Sequence, residues 1–302
     1  MNTFWVDTDF GFDDLWALLV LRHLGGQVAG ISLVAGNAPL AQVISNASGA
    51  RQAYGFDAPI YIGADRPLLR TTETAERILG PRGMLSRGQY LPAGSGEVEA
   101  KDANTALKAW LRSAKGTERR DILAIGPLTN IARLVQDAPD LAASITRIVW
   151  MGGSNGAGNH SAQAEFNALA DPEAAAIVAG AGIQMDVVDL MFCRTITFGA
   201  DHLIDGDALT SDLLGGYLDI ALNRGRSHMA IYDPVAALVA CQPEAFAFER
   251  CDMSVSTTAD ETYGKTTFKQ NETGSTRRVV GTTLDAVKAC LDSLFGNHTN
   301  VD

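Results

Sequence analysis

Short apolar runs of strand length alternate with longer helical stretches over the first two thirds of the chain. Phe4 to Val6 reads as a strand, and Leu15 to Leu24 as a helix that is apolar over most of its surface. Val28 to Val34 and Ile60 to Ile62 are β-rich, with Leu40 to Tyr54 helical between them. The alternation continues with a helix at Asn104 to Ala114, a strand at Ile122 to Ile125, a helix at Leu128 to Gln136 and a strand at Ile145 to Met151. Glu173 to Ala179 is a helix with a clear start signal: Asp171 as N-cap, Pro172 at the first position, then a glutamate. Ile183 to Leu190 is a further strand, and Leu284 to Phe295 a closing helix. Such β-α alternation predicts an open, mainly parallel, Rossmann-like sheet with helices on both faces.

Two stretches interrupt the pattern. Arg66 to Gly96 is rich in Gly, Pro and Arg, and Glu249 to Thr276 is polar with β-like pieces such as Met253 to Ser256. No Pro/Ser-rich linker separates two halves, so both are expected as excursions from a single domain covering residues 1–302.

Composition narrows the class without choosing a chemistry. Hydrophobic residues make up 46% and charged residues 20% of the 302, ordinary for a soluble globular protein. The net charge of −11 argues against a nucleic-acid partner, since nothing would offset phosphate repulsion. No apolar run reaches the ~18 to 20 residues that span a bilayer, and the first residues have no basic, apolar leader, so a cytoplasmic protein is expected. Cys193, Cys241, Cys251 and Cys290 form neither a C-x-x-C pair nor a zinc-ligand spacing and are expected as reduced, mostly buried thiols.

The first strand ends in Asp7-Thr8-Asp9-Phe10-Gly11-Phe12-Asp13-Asp14, four carboxylates within eight residues. Ligands of open α/β sheets bind outside the carboxyl ends of the strands. Crowded carboxylates repel one another unless a positive charge sits among them, and oxygen-only ligands suit Ca²⁺ or Mg²⁺. Helix-dipole stabilisation accounts for Asp13 and Asp14 alone.

Three more polar islands follow predicted strands: Gly36-Asn37, Ile125-Gly126-Pro127-Leu128-Thr129-Asn130, and the loop from Met151 through Asn159 to Ala164-Glu165-Phe166-Asn167. Each alone fits a turn or a polar helix face. Together at one sheet edge, amides and carboxylates suit a polyhydroxylated ligand such as a sugar. Asp233, before Pro234 and an apolar helix from Val235 to Cys241, reads by itself as an N-cap.

In this order these residues resemble the inosine-uridine-preferring nucleoside hydrolase family, from Val6 to about Leu294. Residues 7–14 match its D-x-D-x-G-x-D-D signature. Gly36-Asn37, Gly126 to Asn130, Met151-Gly152-Gly153, Gly158-Asn159, Ala164 to Asn167, Asp171 to Ala175 and Asp233-Pro234 follow in sequence. The resemblance implies a Ca²⁺ held by Asp9, Asp14, the backbone carbonyl of Ile125 and Asp233, which turns Asp233 from cap to ligand. It also implies ribose binding by Asp13, Asn37, Asn159, Glu165 and Asn167. The implied reaction is hydrolysis of a ribonucleoside to ribose and free nucleobase, with Asp9 taking the proton of the attacking water, in nucleoside salvage. Homodimers or homotetramers are the family's usual assemblies.

Two positions depart from the family. Tyr232 stands where many members carry the histidine that protonates the leaving base, and Leu79, before Gly80, replaces a second histidine. Tyr232 is therefore expected against the nucleobase, as a hydrogen-bond donor or a stacking ring. A phenol with its ordinary pKa near ~10 is mismatched for proton transfer at neutral pH.

Two other functions fit parts of the pattern. Asp7 and Asp9 resemble the nucleophile and acid of a haloacid-dehalogenase-type phosphatase. That class favours Thr or Val where Gly11 stands and needs a downstream lysine with no clear candidate here. A non-catalytic nucleoside or ribose binder on the same fold fits the replaced histidine, but it has no use for a base such as Asp9.

Overall fold

The computed structural model describes residues 2–94, 98–116, 118–203 and 206–295. Its strands are β1 (Thr3–Thr8), β2 (Gln27–Leu33), β3 (Ile60–Ile62), β4 (Glu99–Asp102), β5 (Asp121–Ala124) and β6 (Arg147–Met151). They continue with β7 (Met185–Val188), β8 (Thr197–Gly199), β9 (His228–Ala230), β10 (Phe246–Val255), β11 (Thr266–Gln270) and β12 (Thr276–Thr282). β8 and β9 pair by themselves, and the other ten form one sheet in the order β11-β10-β12-β7-β6-β5-β1-β2-β3-β4. Neighbours from β4 through β12 run parallel, and β10 runs against both β12 and β11.

Period-two alternation explains why helices cover both faces. Phe4 and Val6 of β1 enter one core while Trp5 enters the other. Leu123 likewise faces the first core and Ile122 and Ala124 the second, and Val149 and Met151 oppose Ile148 and Trp150. The helix Phe12–His23 is buried almost all round because helices Asp233–Cys241, Ala286–Phe295 and Ala208–Leu222 pack on it.

The expected elements are present with ends moved by a few residues. Leu40–Tyr54 and Ile60–Ile62 coincide with the expectation, and Asp171 caps its helix by accepting from the Ala174 N–H at 3.0 Å. Two readings need correction, and one helix is new. Glu249 to Thr276 is not an excursion, since β10 and β11 extend the main sheet. Their outer faces are solvated, so their apolar positions are sparse. Asp233 is not an N-cap: it is the first residue of helix Asp233–Cys241, with Tyr232 in the cap position and no side-chain cap bond. The helix Ala208–Leu222 was not anticipated. Gly215-Gly216 at its middle looks like a breaker, but a Cβ at Gly216 would collide with the backbone of Leu85, so the glycine admits a close crossing by the segment at Leu85 and Ser86.

The chain runs from β1 outward through β2, β3 and β4, then returns to β5 on the other side of β1. The carboxyl ends of β1 and β5 therefore flank the switch point, the place where open α/β sheets bind ligands.

Candidate active site

The backbone after β1 makes an abrupt turn. Phe10 adopts a left-handed conformation, φ 44°, between Asp9 and Gly11. A bulky residue there costs on the order of 1–3 kcal/mol and persists only where its surroundings fix it. They do: its N–H donates to Thr8 Oγ1 at 3.1 Å, its carbonyl accepts from Asn46 Nδ2 at 3.0 Å, and its ring is buried. The turn brings Asp9 to the strand end and starts the next helix, with Asp13 and Asp14 in its first turn.

Asn37, in the turn after β2, ties this group together. Its backbone N–H donates to Asp9 Oδ2 at 2.7 Å, and its Nδ2 lies 3.1 Å from both Asp9 Oδ1 and Asp14 Oδ2. Asp14 also accepts from Thr8 Oγ1 and from the Gly11 N–H at 2.7 Å. Gly36 leaves room for this packing: a Cβ there would strike the Asp9 carboxylate, held on its other side by Asn37. Gly36→Ala should therefore lower base release about 10²-fold, the loss a displacement of ~1 Å at a reacting group can cause. Steady-state assays beside a thermal melt check this; full activity in Gly36→Ala would mean that Asp9 need not sit where it does.

Asp13, Asp14 and Asp233 form a compact trio whose oxygens lie within 4.8 Å of one another. Asp14 and Asp233 belong to the expected metal set, and Asp13, expected on ribose, joins them. Burial, then the neighbouring carboxylates, hold Asp9 and Asp233 well above the usual carboxylate range. Burial and then Asp14 push Asp13 up to about 7, and burial also raises Asp14. Among the described residues none of these four acids has an ion-pair partner. The amino ends of the strands are different: there Arg147 pairs with Asp121 at 3.0 Å and Asp186 at 3.5 Å, and Arg277 with Asp186 at 2.7 Å. The fold thus supplies counter-charges for buried acids where the sheet is structural and omits them at the switch point. An oxygen-only, uncompensated and buried set fits a hard divalent cation.

The remaining expected residues line the same cavity, about 210 Å³ in volume, with Asp9, Asp13, Asn37 and Asp233. Glu165 caps the helix Phe166–Ala170 and accepts from the backbone N–H groups of Gly153, Asn167 and Ala168 at 2.8 to 3.1 Å. Burial pushes its pKa up to about 7. Asn167 Nδ2 donates to the Met151 carbonyl at 3.0 Å, and Asn159 Oδ1 accepts from the Phe166 N–H at 2.9 Å. Both amides keep their other polar atom for a ligand. Ile125 and Tyr232 also face the cavity, and burial pushes the Tyr232 phenol up to about 12. Ile78 and Leu79 form an apolar part of the wall.

Asp7 and Asn130 lie behind the site. Asn130 donates to Asp7 Oδ1 at 2.8 Å and to the Leu33 carbonyl at 3.1 Å, and accepts from the Ala64 N–H at 2.9 Å. They tie the carboxyl ends of β1 and β2 and the turn after β3 to the helix Thr129–Asp137. Sequence reasoning missed Tyr217, whose hydroxyl donates to Asp13 Oδ2 at 3.1 Å, and also His160, Arg194, Arg224 and Arg226 in the wall. The one available signal was His160 beside Asn159; the others sit in a stretch with no motif of its own.

The sequence model of the inosine-uridine preferring nucleoside hydrolase family matches residues 4–290. The chain belongs to this family. It is an N-ribosyl hydrolase, which sets aside the phosphatase and the non-catalytic binder. The chain is 34% identical over 269 residues to the non-specific ribonucleoside hydrolase RihC of Salmonella enteritidis, covering 86% of this hydrolase and 85% of that one. Among solved structures, the purine-preferring ribonucleoside hydrolase of Gardnerella vaginalis superposes with a TM-score of 0.85 at 21% identity, covering 98% of each chain. A plant nucleoside hydrolase gives 0.86 at 21% identity, over 97% of this chain and 98% of its own. These likenesses establish the fold of the hydrolase. Among the described residues no helix is long and apolar enough to cross a membrane.

Proposed function

We propose that this hydrolase, one domain over residues 1–302, uses Ca²⁺ and a water molecule to cut ribonucleosides into ribose and free nucleobase. The observation that carries this reading is the group of buried carboxylates without counter-charge, set beside a clamp of amides and Glu165 in one cavity. Asp14 and Asp233 would hold the ion with Asp9 and the Ile125 carbonyl, and Asp13 lies close enough to contribute. When bound, the ion supplies positive charge that lowers the pKa of water and orients ribose hydroxyls.

The chain's own groups do the rest. Asp9, fixed by two hydrogen bonds from Asn37, accepts the proton of the attacking water. Asp13, Asn37, Asn159, Glu165 and Asn167 bind ribose hydroxyls. Positive charge grows on the sugar as the bond breaks, as in other glycoside cleavage, and the surrounding carboxylates stabilise it. The family's habits support a cytoplasmic homodimer or homotetramer.

A base-release assay over a panel of ribonucleosides is the direct test. Release from at least one supports the reading; tight nucleoside binding with no release from any of them would overturn it.

Tyr232 is expected to contribute a hydrogen bond or a stacking surface to the base. With its pKa pushed up to about 12 it is a poorer acid than a free phenol. Tyr232→Phe should cost only a few-fold, the worth of a neutral hydrogen bond of ~1 kcal/mol, whereas loss of a general acid costs ~10² or more. A uniform ~10²-fold fall in kcat at unchanged KM would make this tyrosine the acid.

A further inference from the structure

The phenols of this cavity are poor proton donors for the leaving group. Tyr232 is too weak an acid, and the Tyr217 hydroxyl is committed to Asp13. His160 engages Glu73 through Nε2 at 2.9 Å and packs on Phe166. The cavity wall does contain cations: Arg194, Arg224 and Arg226. None has an ion-pair partner among the described residues, in a chain with 35 acidic and 24 basic residues. Arg194 is also fixed in place. Its guanidinium donates to the carbonyls of Gly158 at 3.0 Å and Ala157 at 3.3 Å and touches Met191 Sδ at 3.6 Å. Carbonyls orient the guanidinium without cancelling its permanent charge. Arg194 and Arg226 line the same cavity as Tyr232, the residue expected against the base.

We propose that Arg194, assisted by Arg226, stabilises the nucleobase as it departs with the bonding electron pair, so that leaving-group activation here is electrostatic and not a proton transfer. This rests on the hydrolase reading of the same site. The C1′–N bond breaks and its electron pair goes to the base nitrogen, giving a base anion opposite the guanidinium. The water oxygen bonds to C1′, its proton passes to Asp9, and the released base takes a proton from solvent. A fixed cation aimed at developing negative charge needs no reorganisation when the bond breaks.

The test compares the best natural ribonucleoside with p-nitrophenyl riboside, whose leaving group is a stable anion and needs little help. Arg194→Gln should lower kcat on the nucleoside by ~10²-fold or more, as loss of one such donor does, and on the aryl riboside by less than ~3-fold. Arg194→Lys should recover part of the loss, because the charge returns without the fork. Arg226→Gln, on an exposed side chain, should show a smaller loss of the same selectivity. Equal losses on both substrates would overturn the proposal, because they would mean only that the loop carrying Asn159 had moved. So would the selective loss in His160→Gln and not in Arg194→Gln. A preference for nucleoside 5′-monophosphates that vanishes in Arg194→Gln would also overturn it. Wild-type protein that cleaves the aryl riboside and no nucleoside would instead overturn the reading of the natural substrate.

Discussion

Asp9→Asn is expected to lower base release by at least ~10³-fold while leaving the fold intact. General-base removal alone costs ~10² to 10⁴, and the substitution also weakens the site for a cation. Asp9 Oδ2 and Oδ1 accept from the Asn37 backbone N–H at 2.7 Å and from its Nδ2 at 3.1 Å. An amide at position 9 must turn its NH₂ toward one of these donors, so one hydrogen bond of ~1 kcal/mol is lost. Against that, a negative charge leaves a crowded group in which burial and then Asp14 hold the Asp9 pKa well above its usual range. Those two effects oppose each other, so the melting temperature of cation-free Asp9→Asn should be close to that of the wild type or above it. Base release and thermal melts on the same preparation check both halves. Turnover within ~10-fold of wild type would remove Asp9 as the base.

Chelation should abolish turnover, and Ca²⁺ should restore it better than Mg²⁺. The switch-point acids have folded pKa values raised above their unfolded ones, Asp13 up to about 7. The folded, cation-free protein therefore binds more protons than the unfolded chain between about pH 4 and 7, and its stability falls as pH rises through that window. Asp7, raised to about 6, and Glu165, raised to about 7, act in the same direction. A bound cation must displace protons from the trio, so its affinity should weaken as pH falls below about 7. At ~100 times its dissociation constant the ion adds about 2.7 kcal/mol, a rise of roughly 5 °C in melting temperature. Melts and calcium titrations at several pH values read these effects. Full activity after exhaustive chelation would remove the metal from the proposal, and equal rescue by Mg²⁺ would remove calcium as its identity.

The sequence by itself determined the layering, the crowding of acids at the switch point and the family. Period-two and helical patterns survive in a linear reading because each strand and helix buries a face set by its own residues, as β1, β5 and β6 do. Part of the candidate site was legible for the same local reason: Asp9, Asp13 and Asp14 sit at one strand-to-helix turn, and Glu165 and Asn167 share one helix start. Only the tertiary structure decided what depends on distant partners. Asp7 belongs to a lock with Asn130, 123 residues away, although it sits two residues from Asp9. Tyr217 meets Asp13 across 204 residues. Polar-faced β10 and β11 join the sheet because β12 offers them an edge, which no property of their own sequence announces. Arg194 and Arg226 reach the cavity wall from segments without a motif. Their charge acts through space, and space is set by the packing of the whole chain.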